Sequence, residues 1–155
     1  MKQNGRSGQF VVPGDPIGVI EEFVSGREVT VGILCGRALP IIEIRTQNYF
    51  YDYDAKYVDD QTEYLFDTIA DPVVATGISQ AAVDCFDALG CRHFARVDFV
   101  LGDDQIARVL EVNTIPGFTS HSLLPKAAEK AGLSMSDLCT RIVEAACSSL
   151  AGHKV

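Results

Sequence analysis

The sequence has no tryptophan, only two methionines, and 13 lysine and arginine residues against 21 aspartate and glutamate residues in a total of 155. The net charge of -8 repels polyphosphate backbones and argues against bulk nucleic-acid binding or docking on an anionic membrane. An anionic ligand must therefore be held by local donors. No apolar run approaches the roughly 18 residues of a membrane span, and the first nine residues are polar with only two basic groups, so a cytoplasmic protein is the default expectation. The five cysteines, Cys35, Cys85, Cys91, Cys139 and Cys147, show neither CxxC nor Cys/His ligand spacing and lie in apolar contexts, where buried thiols are expected. What is present is a 47% apolar chain. A chain of this length buries roughly 70% of its unfolded surface, enough for one domain without disulfide or zinc staples.

Residues 1–17 combine Gly, Ser and Pro with little periodicity and are assigned no element, so the expected domain is 18–150, with 151–155 as a tail. From Gly18 three stretches rich in β-branched residues follow, GVIEEFV, REVTVGILCG and ALPIIEIR, which read as strands with the last two forming a hairpin around Gly36-Arg37. The tyrosine-rich stretch Tyr49–Tyr57 alternates rings and charges and suits a partly exposed loop. Asp71-Pro72 supplies an N-cap followed by proline at the first helical position. Apolar residues from Val74 to Leu89 then recur at helical spacing up to Gly90, a left-handed C-terminal cap. HFARVDFVL and IARVLEV read as a hairpin over Gly102–Gln105. An amphipathic segment covers Leu123–Ala131, and Ser134 with Asp137 forms a capping box opening a last helix to about Leu150. This order predicts an α+β fold, a largely antiparallel sheet with helices packed on one face.

Alternation in HFARVDFVL places His93, Ala95, Val97, Phe99 and Leu101 on one side and Phe94, Arg96, Asp98 and Val100 on the other. With a four-residue turn, Leu101 faces Ile106 and Arg96 faces Glu111. Asp98 then faces Val109 and is the diagonal neighbour of Glu111, with Asn113 one step further on the same side. Two carboxylates, a carboxamide and a guanidinium thus converge. Oxygen donors without thiol or imidazole select a hard cation such as magnesium, which keeps waters and shares its shell with substrate phosphates. The plainer alternative is a solvated hairpin face with one Arg/Glu pair worth about 0.2–1 kcal/mol.

The loop Asn113–Ser122 runs into a helix, and its N–H groups, with Ser122 as cap, offer an anion cradle at the positive helix end. Lys56 is placed for a point-charge phosphate contact, with an exposed lysine as the commoner outcome. For His121 a structural role is favoured, since no nucleophile with a partner is visible, and His93 reads as a packed histidine.

Taken in order, Ile20–Val31, Leu39-Pro40, Phe50–Tyr57, Leu89–Cys91, Ala95–Asp98, and Leu110–Thr114 through Ser122-Leu123 closely resemble D-alanine-D-alanine ligases, specifically the C-terminal part of these ATP-grasp enzymes, over roughly residues 18–150. The resemblance implies ATP between two sheets, its adenine on Glu21, Glu22, Phe23 and Val24, its ribose on Glu28, Phe50 near the nucleotide and Lys56 near the terminal phosphates. It implies Asp98, Glu111 and Asn113 as ligands of magnesium or manganese, and Tyr57 on the substrate side. Arg96 and the Gly117 N–H match donors to a tetrahedral intermediate, and Ser122 and Leu123 match the site for the second D-alanine carboxylate. The implied reaction joins two D-alanines through an acyl phosphate for peptidoglycan precursors.

The implied partners are D-alanine, ATP and the family's N-terminal and central domains; the N-terminal domain has no counterpart in this sequence and most of the central one is absent, so the chain reads as the C-terminal half, expected to be inactive alone, and a homodimer is the assembly to test. The sequence departs from the family at Glu22, where some members have lysine, and at Phe118, where methionine is common. Two other classes compete: a stand-alone nucleotide-binding or regulatory module, and another ATP-grasp ligase such as one making D-alanyl-D-lactate.

Overall fold

The structure is a computed structural model that describes residues 8–10, 18–20, 22–45 and 62–151, with 8–10, 18–20 and 150–151 as backbone only. Strands β1 (Gly8–Phe10) and β2 (Gly18–Ile20) form an antiparallel pair; β1 lies in the stretch to which the sequence pattern assigned no element. The main sheet holds β3 (Gly26–Leu34), β4 (Arg37–Ala38), β5 (Ile42–Arg45), β6 (Glu63–Phe66), β7 (Phe94–Gly102) and β8 (Ala107–Asn113). Its order is β6-β5-β3-β7-β8, with the short β4 paired back against the end of β3, and every described pairing is antiparallel.

Three helices follow the expected signals. Helix α1 (Pro72–Ala88) starts where the Asp71 carboxylate accepts from the Val73 N–H at 2.8 Å, which satisfies a donor that the first turn leaves without a partner. It ends where Gly90, at φ 63°, lets the Gly90 and Cys91 N–H groups turn back onto the Asp87 and Phe86 carbonyls. Helix α2 is Leu123–Lys130 and α3 is Met135–Ala151. At the start of α3, Ser134 and Asp137 exchange hydrogen bonds, Asp137 N to Ser134 Oγ at 3.1 Å and Ser134 N to Asp137 Oδ2 at 3.0 Å.

The helices divide between two faces of the sheet instead of sharing one. On the first face Val29, Val31, Ile33, Ala95, Val97, Phe99 and Leu101 pack with Ile78, Ala82 and Phe86 of α1. Alternation turns Gly32 and Leu34 to the second face, where Leu34, Leu39, Ile42 and Ile44 meet Leu123, Leu124, Ala127 and Ala128 of α2 and Leu138 of α3. A strand buried on both sides reads as a nearly continuous apolar run, as Gly32-Ile33-Leu34 does, and carries no signal for one-sided packing. Burying each large aliphatic or aromatic side chain contributes roughly 1.5–3 kcal/mol, so the two layers together hold β3 and β7 rigidly at the centre.

Three local features differ from the pattern. The β3–β4 turn is Cys35-Gly36, both at positive φ (50° and 74°), one residue earlier than expected, because a two-residue turn of this twist demands φ > 0 at both positions. His93, also at positive φ (69°), precedes β7 and gives its carbonyl to the Cys35 N–H at 2.6 Å. The cysteines are not buried: Cys35, Cys139 and Cys147 are exposed, and Cys85 and Cys91 are half-buried and free.

Candidate functional site

The hairpin β7–β8 turns on three residues, not four. The Gly102 N–H reaches the Ile106 carbonyl at 3.0 Å, and Gln105 takes φ 61°, the left-handed third position typical of a three-residue loop. The Asp104 carboxylate braces the turn by accepting from the Ile106 N–H and from both terminal nitrogens of Arg108. This turn alone would have aimed Glu111 and Asn113 at the α1 face. A bulge at Leu110, between the pairs Phe99/Val109 and Asp98/Glu111, inserts one extra residue and turns them back. The face predicted for the four polar residues is therefore observed, while the partners shift: Asp98 lies directly opposite Glu111, and Arg96 opposite Asn113.

The patch is tightly bonded. Asp98, 3% exposed, receives both Arg96 nitrogens in a fork, Nε to Oδ1 at 2.9 Å and Nη2 to Oδ2 at 2.8 Å. Asn113 Nδ2 lies 3.1 Å from Asp98 Oδ2 and 3.1 Å from Glu111 Oε1, bridging the two carboxylates. From the other neighbouring strand, Thr30 donates its hydroxyl to Asp98 Oδ1 at 2.5 Å. Thr30 was not among the sequence candidates; the β3–β7 pairing sets it directly opposite Asp98.

The donor set fits a hard cation: two carboxylates face each other and share one neutral amide, which donates to both, and all their ligating atoms are oxygens. Among the described residues no three His, Cys, Asp or Glu side chains converge, so a cation here would complete its shell with water or ligand oxygens, as magnesium does.

Around the patch, Tyr64 on β6 is half-buried; burial pushes its phenol pKa up, and the Arg96 charge works against that rise. The Lys126 ammonium stands 5.4 Å over its ring, a cation–π contact. Glu28 shares the polar face two residues before Thr30 on β3 and is half-buried. Glu22, Phe23 and Val24 form an irregular approach to β3, beside the hairpin turn where the Asp103 N–H meets the Ser25 carbonyl at 3.3 Å; Phe23 is 89% exposed. Glu21, Phe50, Lys56 and Tyr57 lie outside the described residues.

The loop before α2 behaves differently from expectation. Ser122 holds the N-cap position, but its hydroxyl makes no bond to the helix. Pro125 at the third helical position has no N–H to give, and the hydroxyl turns into the loop, accepting from the Thr119 N–H at 3.0 Å. Gly117 permits this fold: a Cβ there would come within 2.8 Å of Ser122 Oγ. The Leu123 side chain is buried in the core, so only its backbone faces the loop, and His121 is exposed.

A second charged group lies on the opposite face. Glu43 is buried between Arg27 (2.9 Å) and Arg45 (2.9 Å). Burial alone would raise its pKa, but hydrogen bonds with Thr68 and Arg45 and the two arginine charges hold it below the usual carboxylate value. This network pins β3 to β5 and does not reach the patch.

Comparison with known proteins identifies the family and its fold. Residues 13–144 match the family described as D-ala D-ala ligase C-terminus. The chain is 46% identical over 132 residues to a D-alanine--D-alanine ligase of Syntrophotalea carbinolica, covering 85% of this chain and 43% of that protein. A crystal structure of the Bacillus anthracis D-alanine--D-alanine ligase complexed with ATP superposes with a TM-score of 0.68 at 36% identity, over 84% of this chain and 41% of that one. The Coxiella burnetii ligase gives 0.72 at 28% identity, over 88% and 36%. The chain thus spans well under half the length of the relatives it matches. Sequence, sheet and loop agree that the chain belongs to the D-ala D-ala ligase C-terminus family.

Proposed function

We propose that this chain forms the nucleotide- and cation-binding wall of an ATP-dependent D-alanine-D-alanine ligase. The observation that carries the proposal is the convergence of Asp98, Glu111 and Asn113 with Arg96 on one face of the β7–β8 hairpin. In the proposed reaction the γ-phosphoryl of ATP passes to the carboxylate of one D-alanine. The amine of a second D-alanine then attacks the acyl carbon, the C–O bond to phosphate breaks, and the dipeptide, phosphate and ADP are released. Such use of ATP puts the chain in the cytoplasm.

Asp98, Glu111 and Asn113 would hold Mg2+ or Mn2+, which when bound offsets the charge of the phosphate oxygens. Arg96, held by Asp98 in a fixed orientation, and the Gly117 N–H are assigned to the oxyanion that develops on the acyl carbon, where preorganised donors act most strongly. Glu28 lies two residues before Thr30 on β3, roughly 7 Å at about 3.3 Å per residue, and Glu22, Phe23 and Val24 lie further out, before the strand begins. An extended nucleotide bridges that spacing, with base at the strand start and phosphates at the patch. Glu21, Phe50 and Lys56 are assigned to the nucleotide and Tyr57, Ser122 and Leu123 to the substrate on the family resemblance. For Ser122 the assignment requires its hydroxyl to leave Thr119.

The test is a chimera in which this chain replaces the matching part of the Syntrophotalea carbinolica relative. D-alanine-dependent ADP release that is lost in Asp98→Asn supports the proposal. A folded chimera without such release refutes it, and D-lactate in place of the second D-alanine tests the competing ligase class.

A further inference from the structure

We propose that Thr30 is a positioning residue that aims the Asp98 carboxylate at the cation, an inference that rests on the function proposed above. Thr30 is 1% exposed, and its hydroxyl donates to Asp98 Oδ1 at 2.5 Å. A second contact, 3.3 Å to the Val97 carbonyl, lies on the same strand as Asp98, so the hydroxyl sits between backbone and carboxylate. The β3–β7 ladder places Thr30 directly opposite Asp98, as the β7–β8 ladder places Glu111 opposite it on the other side. Asp98 is thus the centre of a three-strand row, Thr30, Asp98 and Glu111.

The division of bonds around the carboxylate gives Thr30 its role. Oδ1 is engaged by the Thr30 hydroxyl and Arg96 Nε. Oδ2 takes Arg96 Nη2 and the Asn113 amide, which also reaches Glu111. Among the described residues the Asn113 N–H contacts bridge the two carboxylates, so a cation there replaces those N–H groups, with Asn113 turning its oxygen toward it, while Thr30 and Arg96 keep the carboxylate plane in place. Arg96 grips one edge of the carboxylate, and the Thr30 hydroxyl, bonding from β3, fixes the turn of the group about its own axis so that the oxygen away from Thr30 is presented toward Glu111. Partners of metal-ligating carboxylates characteristically change metal affinity 10- to 100-fold when removed.

The experiment uses the 155-residue chain with Mn2+ alone as probe, following paramagnetic broadening of the backbone amide signals of β7 and β8, with thermal melting in parallel. Thr30→Val keeps the shape and removes the hydroxyl, and Thr30→Ala repeats the removal with less bulk should valine prevent folding. Thr30→Ser keeps the hydroxyl. The expected result is about 10-fold weaker Mn2+ affinity in the valine and alanine variants and wild-type affinity in serine, whatever the melting temperatures. Valine or alanine variants that melt lower yet bind Mn2+ as wild type does would overturn the positioning role. Asp98→Asn separates this from the underlying function: if it too binds like wild type, the cation site itself falls and the proposal with it.

Discussion

Replacing Asp98 with asparagine tests whether the patch stabilises the fold before any cation arrives. The substitution keeps the shape but turns one acceptor oxygen into an NH2 group and removes the charge. Four hydrogen bonds converge on the carboxylate, and a carboxamide can accept at only one of its two heavy atoms. Hydrogen bonds to a charged group contribute about 1.5–3 kcal/mol, and breaking a buried ion pair from one side costs about 3–5 kcal/mol. The Arg96 side chain retains 15% exposure and so falls at the lower end. Against this, Asp98 faces Glu111 across the ladder, and relieving two like charges directly opposite each other returns about 0.2–1 kcal/mol. The bonds win, and the variant should lose about 2–3 kcal/mol. Urea unfolding followed by far-UV circular dichroism suits a chain without tryptophan. Adding Mg2+ at a hundred times its dissociation constant should then stabilise the wild type by about 2.7 kcal/mol and the variant not at all. A variant as stable as the wild type, or Mg2+ stabilising both equally, would refute the reasoning.

Two further outcomes follow from the same structure. Leu124 is fully buried and its Cδ1 lies 2.7 Å from where a Cβ on Gly32 would stand, so Leu124→Ala should cost about 3 kcal/mol by opening a cavity against β3, read by the same denaturation assay. Asp104 has its pKa lowered to about 2, first by the Arg108 hydrogen bond and then by the Ile106 N–H. Its contribution to stability is therefore complete above the ordinary aspartate value near ~3.9 and fades as pH falls through about 2. A carboxyl-carbon NMR titration with a midpoint near the ordinary value would show that the turn is not braced as described.

The sequence made local devices legible and cross-strand devices less so. The Asp71 cap, the Gly90 terminus and the Ser134/Asp137 box depend on residues a few positions apart, and each appears as expected. The division of helices between two faces was not legible, because the second apolar layer meets β3 only near its end, where Gly32-Ile33-Leu34 runs without alternation. Thr30 was missed for a related reason. Its partner is 68 residues away, and only the sheet order, with β3 between β5 and β7, makes them neighbours.

The polar patch shows how a correct face can follow from an incorrect register. A four-residue turn and a regular ladder give the same facing for Glu111 as a three-residue turn followed by a bulge, because each departure shifts the alternation by one residue and the two cancel. Facing survives the cancellation, but pairing does not. The pairing is what carries the chemistry: with Arg96 opposite Glu111, the guanidinium would neutralise one carboxylate and leave Asp98 beside it as a diagonal neighbour. With Asn113 opposite Arg96 and Glu111 opposite Asp98, the two carboxylates face each other with a neutral amide bridging them, and the guanidinium grips Asp98 from its own strand. The three-residue turn and the bulge at Leu110 together therefore give two opposed carboxylates where a four-residue turn would give an ordinary surface ion pair, an arrangement that costs stability in water and gains from a divalent cation. Its physical signature is a Mg2+ stabilisation that requires Asp98 and Glu111 together.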